Sequence, residues 1–200
     1  MVKKFRMFVL SGLVVAGSLI SLSQAQAADV YKIDAVHSSI SFSVSHLMVS
    51  RTTGVFNDYE GTITFDPKDL AASSAQVIIQ TASIDTRSQK RDDHLRSADF
   101  FDAVTHPQIT FKSKQFTSSG DGYLITGDLT VKGVTKEVAI PVKISGPVVS
   151  PFGATVIGMT GQVTINRQDF GVSWNKNLDA GGVMVGDNVD VQVNIEAHKE

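Results

Sequence analysis

Between residues 39 and 46 the chain alternates strictly. Ile40, Phe42, Val44 and His46 fall on one side, and Ser39, Ser41, Ser43 and Ser45 on the other. In a strand successive side chains point to opposite faces, so a period of two predicts a strand with one buried face. The same pattern returns along the chain. Ile63 and Phe65 alternate with Thr62, Thr64 and Asp66, and residues 76–84 are more continuously apolar, with Val77 and Ile79 on one side. Ile109, Phe111 and Ser113 follow. After the turn signal Gly120-Asp121-Gly122 come Tyr123, Ile125, Gly127, Leu129 and Val131. Val138, Ile140, Val142 and Ile144 form the next stripe, interrupted on its other face by Pro141, which fits best at an edge or a bulge. Ile157, Met159, Gly161, Val163 and Ile165 make another, and Val189, Val191, Val193 and Ile195 close the chain.

With a short strand at residues 30–33, this makes about eight or nine strands joined by short turns. Parallel pairing needs long crossovers, so the sheet is antiparallel. Its buried face can close as an up-and-down barrel or pack as a two-sheet sandwich, and the alternation fits both. One segment breaks the rhythm. Residues 88–102 (SQKRDDHLRSADFFD) carry many charges and no Gly or Pro, and so predict a short helix across one end. Ser88 is its expected cap, Asp92 and Arg96 an i,i+4 pair, and Phe100 and Phe101 apolar plugs.

The first 27 residues read as a leader. Lys3, Lys4 and Arg6 precede an apolar run over residues 7–22, and Ala25-Gln26-Ala27 offers a signal-peptidase site, with cleavage after Ala27. The domain is then residues 28–200, exported to the periplasm. Losing three bases and no acid takes the formal charge from −2 to −5. With no basic block, nucleic acid is not an expected partner. The absence of cysteine excludes disulfides and thiolate metal sites.

The catalytic motifs are missing. The five histidines, His37, His46, His94, His106 and His198, show neither H-x-H nor H-x-x-x-H spacing. No metal ligands are assigned, which leaves only a site assembled from distant residues; each histidine is read as hydrogen-bonded or facing solvent. His46 continues an apolar stripe and is expected near one mouth. Gly171-Val172-Ser173 begins a nucleophile elbow, but Asn175 stands where its last glycine belongs. No catalytic residue is assigned. The bases Arg87, Lys90, Arg91, His94 and Arg96 suit an anionic head group, or else pair with Asp92, Asp93 and Asp99 in a solvated cap. Gly127 and Gly161 interrupt inward stripes. They either leave lumen volume open or mark a close crossing or bulge.

RDDHLRSADFFD (residues 91–102), the following His106-Pro107 with Ile109-Thr110-Phe111, and GDLTVKGVTKEV (residues 127–138) closely resemble the YceI-like family of bacterial periplasmic proteins. VHSSISFSVSHL, GVFNDYEGTITFD, DFGVSW and GDNVDVQVNIEA extend the resemblance in order over essentially the whole mature chain. It implies a lipocalin-like, eight-stranded antiparallel barrel with a short helical insertion. It also implies a lumen for a long isoprenoid chain, with quinone or polyprenyl lipids as ligands, and a link to stress responses. On this reading the protein is a non-enzymatic carrier needing no cofactor beyond the lipid, with transient membrane contact and a homodimer as further expectations.

Strand phase then nominates the apolar lumen residues Ile40, Phe42, Val44, Ile63, Phe65, Val77, Ile79, Phe111, Ile125, Leu129, Val138, Ile140, Val191 and Val193. Arg91, His94 and Arg96 are the head-group or cap candidates. A barrel of ten-residue tilted strands is roughly 25 Å deep, so a tail of eight isoprene units must bend or protrude. Two other classes stay open: an interaction protein whose lumen is filled core, and a hydrolase-type enzyme for a small apolar substrate.

Overall fold

The structure is a computed structural model that describes residues 28–179 and 181–200; the leader, with its cleavage after Ala27, lies outside them. The strands are β1 (Asp29–Ile33), β2 (Ser39–His46), β3 (Ser50–Phe56), β4 (Tyr59–Phe65), β5 (Ser74–Gln80) and β6 (Ile84–Asp85). After helix α1 (Gln89–Arg96) come β7 (Gln108–Ser119), β8 (Gly122–Val131), β9 (Val134–Val149), β10 (Thr155–Asn166) and β11 (Val185–Lys199). The named strands pair antiparallel throughout, as short connections require.

The ring runs β1-β4-β5-β7-β8-β9-β10-β11 and returns to β1, which closes an eight-stranded, lipocalin-like barrel. One edge of β11 carries two partners end to end. Ala197–Lys199 pairs with β1, and Val185–Asn194 pairs with β2. β2 and β3 therefore prolong the wall begun by β1 and β4.

Toward this prolonged end, the mouth, the wall opens twice. The outer edge of β3 is paired only where Val55 and Phe56 meet β6. The β9–β10 ladder stops at Val142 and Gly161, so β10 continues from Gln162 with β11 alone. Pro141 stands just where β9 loses its β10 neighbour, a local edge at which its missing N–H costs no ladder bond. The segment after β6, including α1, and the segment after β10 fill these two openings. The β8–β9 connection is a two-residue hairpin with positive φ at Lys132 (48°) and Gly133 (75°), the twist-matched primed turn.

The far end is packed solid. Tyr31, Ile63, Ile157 and Ala197 are at most 2% exposed, and the Phe65 and Tyr123 rings meet edge-on at 5.3 Å. The two glycines leave no open volume. A Cβ on Gly127 would stand 2.6 Å from the Lys112 carbonyl oxygen and 2.8 Å from Ser113 Cα, beside the bulge between Ser113 and Gln115. At Gly161 the side chains of Val142 and Val193 occupy the space.

The helix is shorter than residues 88–102, and its polar bonds differ from those expected. Ser88 occupies the cap position without a side-chain capping bond. Asp92 turns inward, 5% exposed, and accepts hydrogen bonds from Thr86 N (2.9 Å) and Oγ1 (2.5 Å). A buried carboxylate needs such donors, so Arg96 pairs instead with Asp93 at 3.2 Å.

Gly127→Ala drives a methyl into backbone on the neighbouring strand. It is expected to lower stability by about 1–3 kcal/mol in thermal or urea denaturation.

Candidate functional site

The mouth half of the barrel is hollow. A cavity of about 160 Å³ lies under the lid, walled by Ile40, Phe42, Val44, Phe56, Ile79, Leu129, Ile165, Val189 and Val191 from the strands. Leu95, Phe100 and Phe101 close it from the α1 segment, and Phe170 and Val172 from the segment after β10. Its wall is apolar; Ser41 and Arg167 border it without presenting polar surface. A second cavity of about 380 Å³ adjoins it at the mouth and adds Ser45, His46, Thr52, Ser88, Lys90, Arg91, His94, Trp174 and Met184. Phe42, Val44, Leu95, Phe100 and Val185 line both and form the constriction between them. The site is thus an apolar chamber with a largely apolar vestibule that carries a few polar groups, His46, Lys90, Arg91 and His94 among them.

Three rings join the two inserted segments over the chamber. His94 lies edge-on to Phe100 and to Trp174, each at 4.9 Å, and Phe100 and Trp174 are 5.2 Å apart. His94 Nε2 is 2.9 Å from Asp99, which orients the imidazole.

The segment after β10 is held by one buried arginine. Arg167, 5% exposed, donates to the carbonyls of Val172 (2.6 Å), Gly186 (2.8 Å), Trp174 (2.9 Å) and Val185 (3.3 Å) and to the Asp187 carboxylate (3.4 Å). Burial pushes the guanidinium pKa down, and the Asp187 charge opposes this. With every N–H direction used, Arg167 is a strut for Phe170, Val172 and Trp174 and has no donor left for a ligand. Asn175 adds a second tie, donating to Val185 O (2.7 Å) and accepting from Val185 N (3.0 Å).

The sequence-predicted residues divide into three groups. Ile40, Phe42, Val44, Ile79, Leu129 and Val191 line the chamber. Ile63, Phe65 and Ile125 are buried in the packed far end, while Val77, Phe111, Val138, Ile140 and Val193 pack half-buried against that core. Phase identifies the inward face but not the depth at which packing stops. Arg91 and His94 border the vestibule, as does His46 at the end of β2. Arg91 is already engaged, with its Nε and a terminal nitrogen each 2.6 Å from Thr86. Arg96 lines neither cavity. It donates to the carbonyls of Ala82 and Ile84, both at 2.7 Å, and ties α1 to the strand beneath. Phe100 and Phe101 are the apolar plugs the pattern suggested. Trp174, Met184 and Arg167 were not singled out, because they lie in an aperiodic segment placed only by tertiary bonds.

Known proteins match this chain along most of its length. A family model described as the YceI-like domain matches residues 31–197. A UPF0312 protein of Pseudomonas aeruginosa and the protein YceI of Escherichia coli are each 42% identical over 165 residues, which is 82% of this chain and 86% of the relative. Among solved structures, Burkholderia cenocepacia BcnA superposes with a TM-score of 0.72 at 29% identity, covering 82% of this chain and 98% of that one. The Campylobacter jejuni YCEI protein gives 0.66 at 31%, covering 78% and 90%. A polyisoprenoid binding domain from Saccharophagus degradans, implicated in plant cell wall breakdown, gives 0.62 at 18% over 85% and 98%, a likeness of fold.

Arg167→Lys keeps the charge but cannot reach carbonyls on both sides of the guanidinium plane. It is expected to cost about 2–3 kcal/mol in denaturant unfolding and to loosen the lid, seen as a red shift of Trp174 fluorescence.

Proposed function

This chain belongs to the YceI-like family, and on that premise we propose that it is a non-enzymatic periplasmic carrier for an isoprenoid-type lipid, with a polyprenyl or quinone tail in the lumen. The observation that carries this reading is the wholly apolar chamber adjoining, across a constriction, a largely apolar vestibule edged by His46, Lys90, Arg91 and His94. A protein interior normally closes such space, because unfilled volume forfeits dispersion and transfer energy.

The size sets what enters. An apolar cavity of about 150 Å³ suffices for benzene, so the chamber as it stands takes a short isoprenoid stretch. A longer tail must displace Phe42, Leu95 and Phe100 at the constriction and lie in the vestibule. Each buried methylene-sized group contributes about 0.8 kcal/mol, offset in part by ordering the tail and leaving the membrane. The polar head then sits beside His46, Lys90, Arg91 and His94. The Saccharophagus domain of the same fold is described as polyisoprenoid binding, which supports this ligand class.

The mouth also suits brief contact with a membrane. Met48, Val49 and Val104, on turns at this end, are 67%, 84% and 93% exposed. Apolar tips around a lipid portal let the tail cross without full hydration. The leader pattern supports a periplasmic setting, and the family resemblance a role under stress.

Trp174 is the sole tryptophan and borders the vestibule, so a bound quinone should quench it. Titration with a short-chain ubiquinone is expected to give saturable quenching in the native protein and none in Phe42→Asp, with circular dichroism checking the fold. Val191→Phe, which fills the chamber, serves if the aspartate variant unfolds. Equal quenching and affinity in folded variants would refute the lumen as the binding site.

A further inference from the structure

On the outer wall, at the seam where the barrel closes, four ionisable side chains from opposite ends of the chain converge. Ala197 points into the core, 0% exposed, so strand alternation turns Glu196 and His198 outward on one face of β11. The break between β1 and β2 lies against them. Asp34 N donates to Glu196 O (2.9 Å), Ser38 Oγ donates to the same oxygen (3.2 Å), and Glu196 N donates to Ser38 Oγ (2.9 Å). Asp34 Oδ1 accepts from Val36 N (2.9 Å), which holds its other oxygen toward both imidazoles.

Asp34, Glu196 and His198 bring one donor atom each within 4.8 Å of the others, and His37 stands beside them. His37 Nδ1 is 2.6 Å from Asp34 Oδ2 and 3.8 Å from Glu196 Oε1, and His198 Nε2 is 3.6 Å and 3.1 Å from the same two oxygens. Bonds of about 2.0–2.2 Å to one tetrahedral ion set neighbouring donors roughly 3.3–3.5 Å apart. The two separations of His198 from the carboxylates lie close to that spacing. His37, hydrogen-bonded to Asp34, stands outside this group.

Charge favours the same occupant. Among the described residues, the ion pairs of Asp34 and Glu196 are with these histidines and with no lysine or arginine. Two carboxylates and one neutral imidazole therefore present a formal charge of about −2 to a cation. Imidazole nitrogens select zinc, copper or nickel over calcium and magnesium, and the absence of sulfur disfavours copper(I). Side-chain exposures of 62% for His37, 41% for His198, 39% for Glu196 and 19% for Asp34 give an ion a direct path from solvent.

We infer that Asp34, Glu196 and His198 form a binding site for one divalent ion of the zinc class, with His37 hydrogen-bonded to Asp34 at its edge. This site lies outside the lumen and does not depend on the lipid reading. The ion ties residues 34–38 to β11 beside the three-pair ladder of Tyr31, Lys32 and Ile33 with Lys199, His198 and Ala197, and so fastens the closure of the barrel.

The test uses tag-free mature protein stripped with EDTA and titrated with Zn²⁺ by calorimetry and thermal melting. One ion per chain is expected. Zinc about 100-fold above its dissociation constant should raise Tm by about 5–10 °C. Asp34→Asn and His198→Ala are each expected to weaken binding by more than about 100-fold and abolish the Tm gain, while His106→Ala retains both. Glu196→Gln replaces His198→Ala if that variant does not fold. No binding at 100-fold molar excess, binding that survives loss of His198 or of the Asp34 carboxylate, or preference for Ca²⁺ or Mg²⁺ over Zn²⁺ would overturn the assignment.

Discussion

The rest of the molecule depends on how β11 closes the sheet. Its single edge must serve β1 near the chain end and β2 toward the mouth, so the wall is complete at one end and prolonged but split at the other. The complete end has eight staves and an interior just wide enough for its own side chains, and it is filled. At the split end strands diverge, and two non-strand segments must cover what the ladders do not. The chamber is the space left where those segments roof the barrel without filling it.

The two halves consequently carry different work. Tyr31, Ile63, Ile157 and Ala197 supply stability through burial alone, since no disulfide is available. Above them, Arg167 substitutes bonds to four carbonyls for the missing β9–β10 ladder, and the ring contacts of Trp174 join the two lids. Those ring contacts are mainly dispersion, which deforms more readily than a hydrogen-bonded sheet. A lid so built can yield to a lipid tail while the far end stays fixed.

Legibility in the sequence followed the same division. Strict alternation located β2 to the residue, and the Gly120-Asp121 turn stood where the pattern put it. β3 escaped notice because Arg51, Thr52, Thr53 and Gly54 form a polar strand with little apolar alternation. β9 begins at Val134 rather than near Val138, since Thr135, Lys136 and Glu137 mask its period. Among the lumen residues, phase separated inward from outward but could not tell Ile125, deep in the packed end, from Leu129, four residues nearer the mouth. Arg96 looked like Arg91 on a charged helix; only the positions of the Ala82 and Ile84 carbonyls distinguish them. His37 and His198 stand near opposite ends of the chain and become neighbours only through the closure of the barrel.

The most direct test of the central claim is native mass spectrometry of the protein purified from its own periplasm, followed by solvent extraction of whatever it holds. The account predicts one isoprenoid lipid per chain, released on unfolding. A protein that emerges empty, and stays empty when offered quinone and polyprenyl lipid, would contradict it.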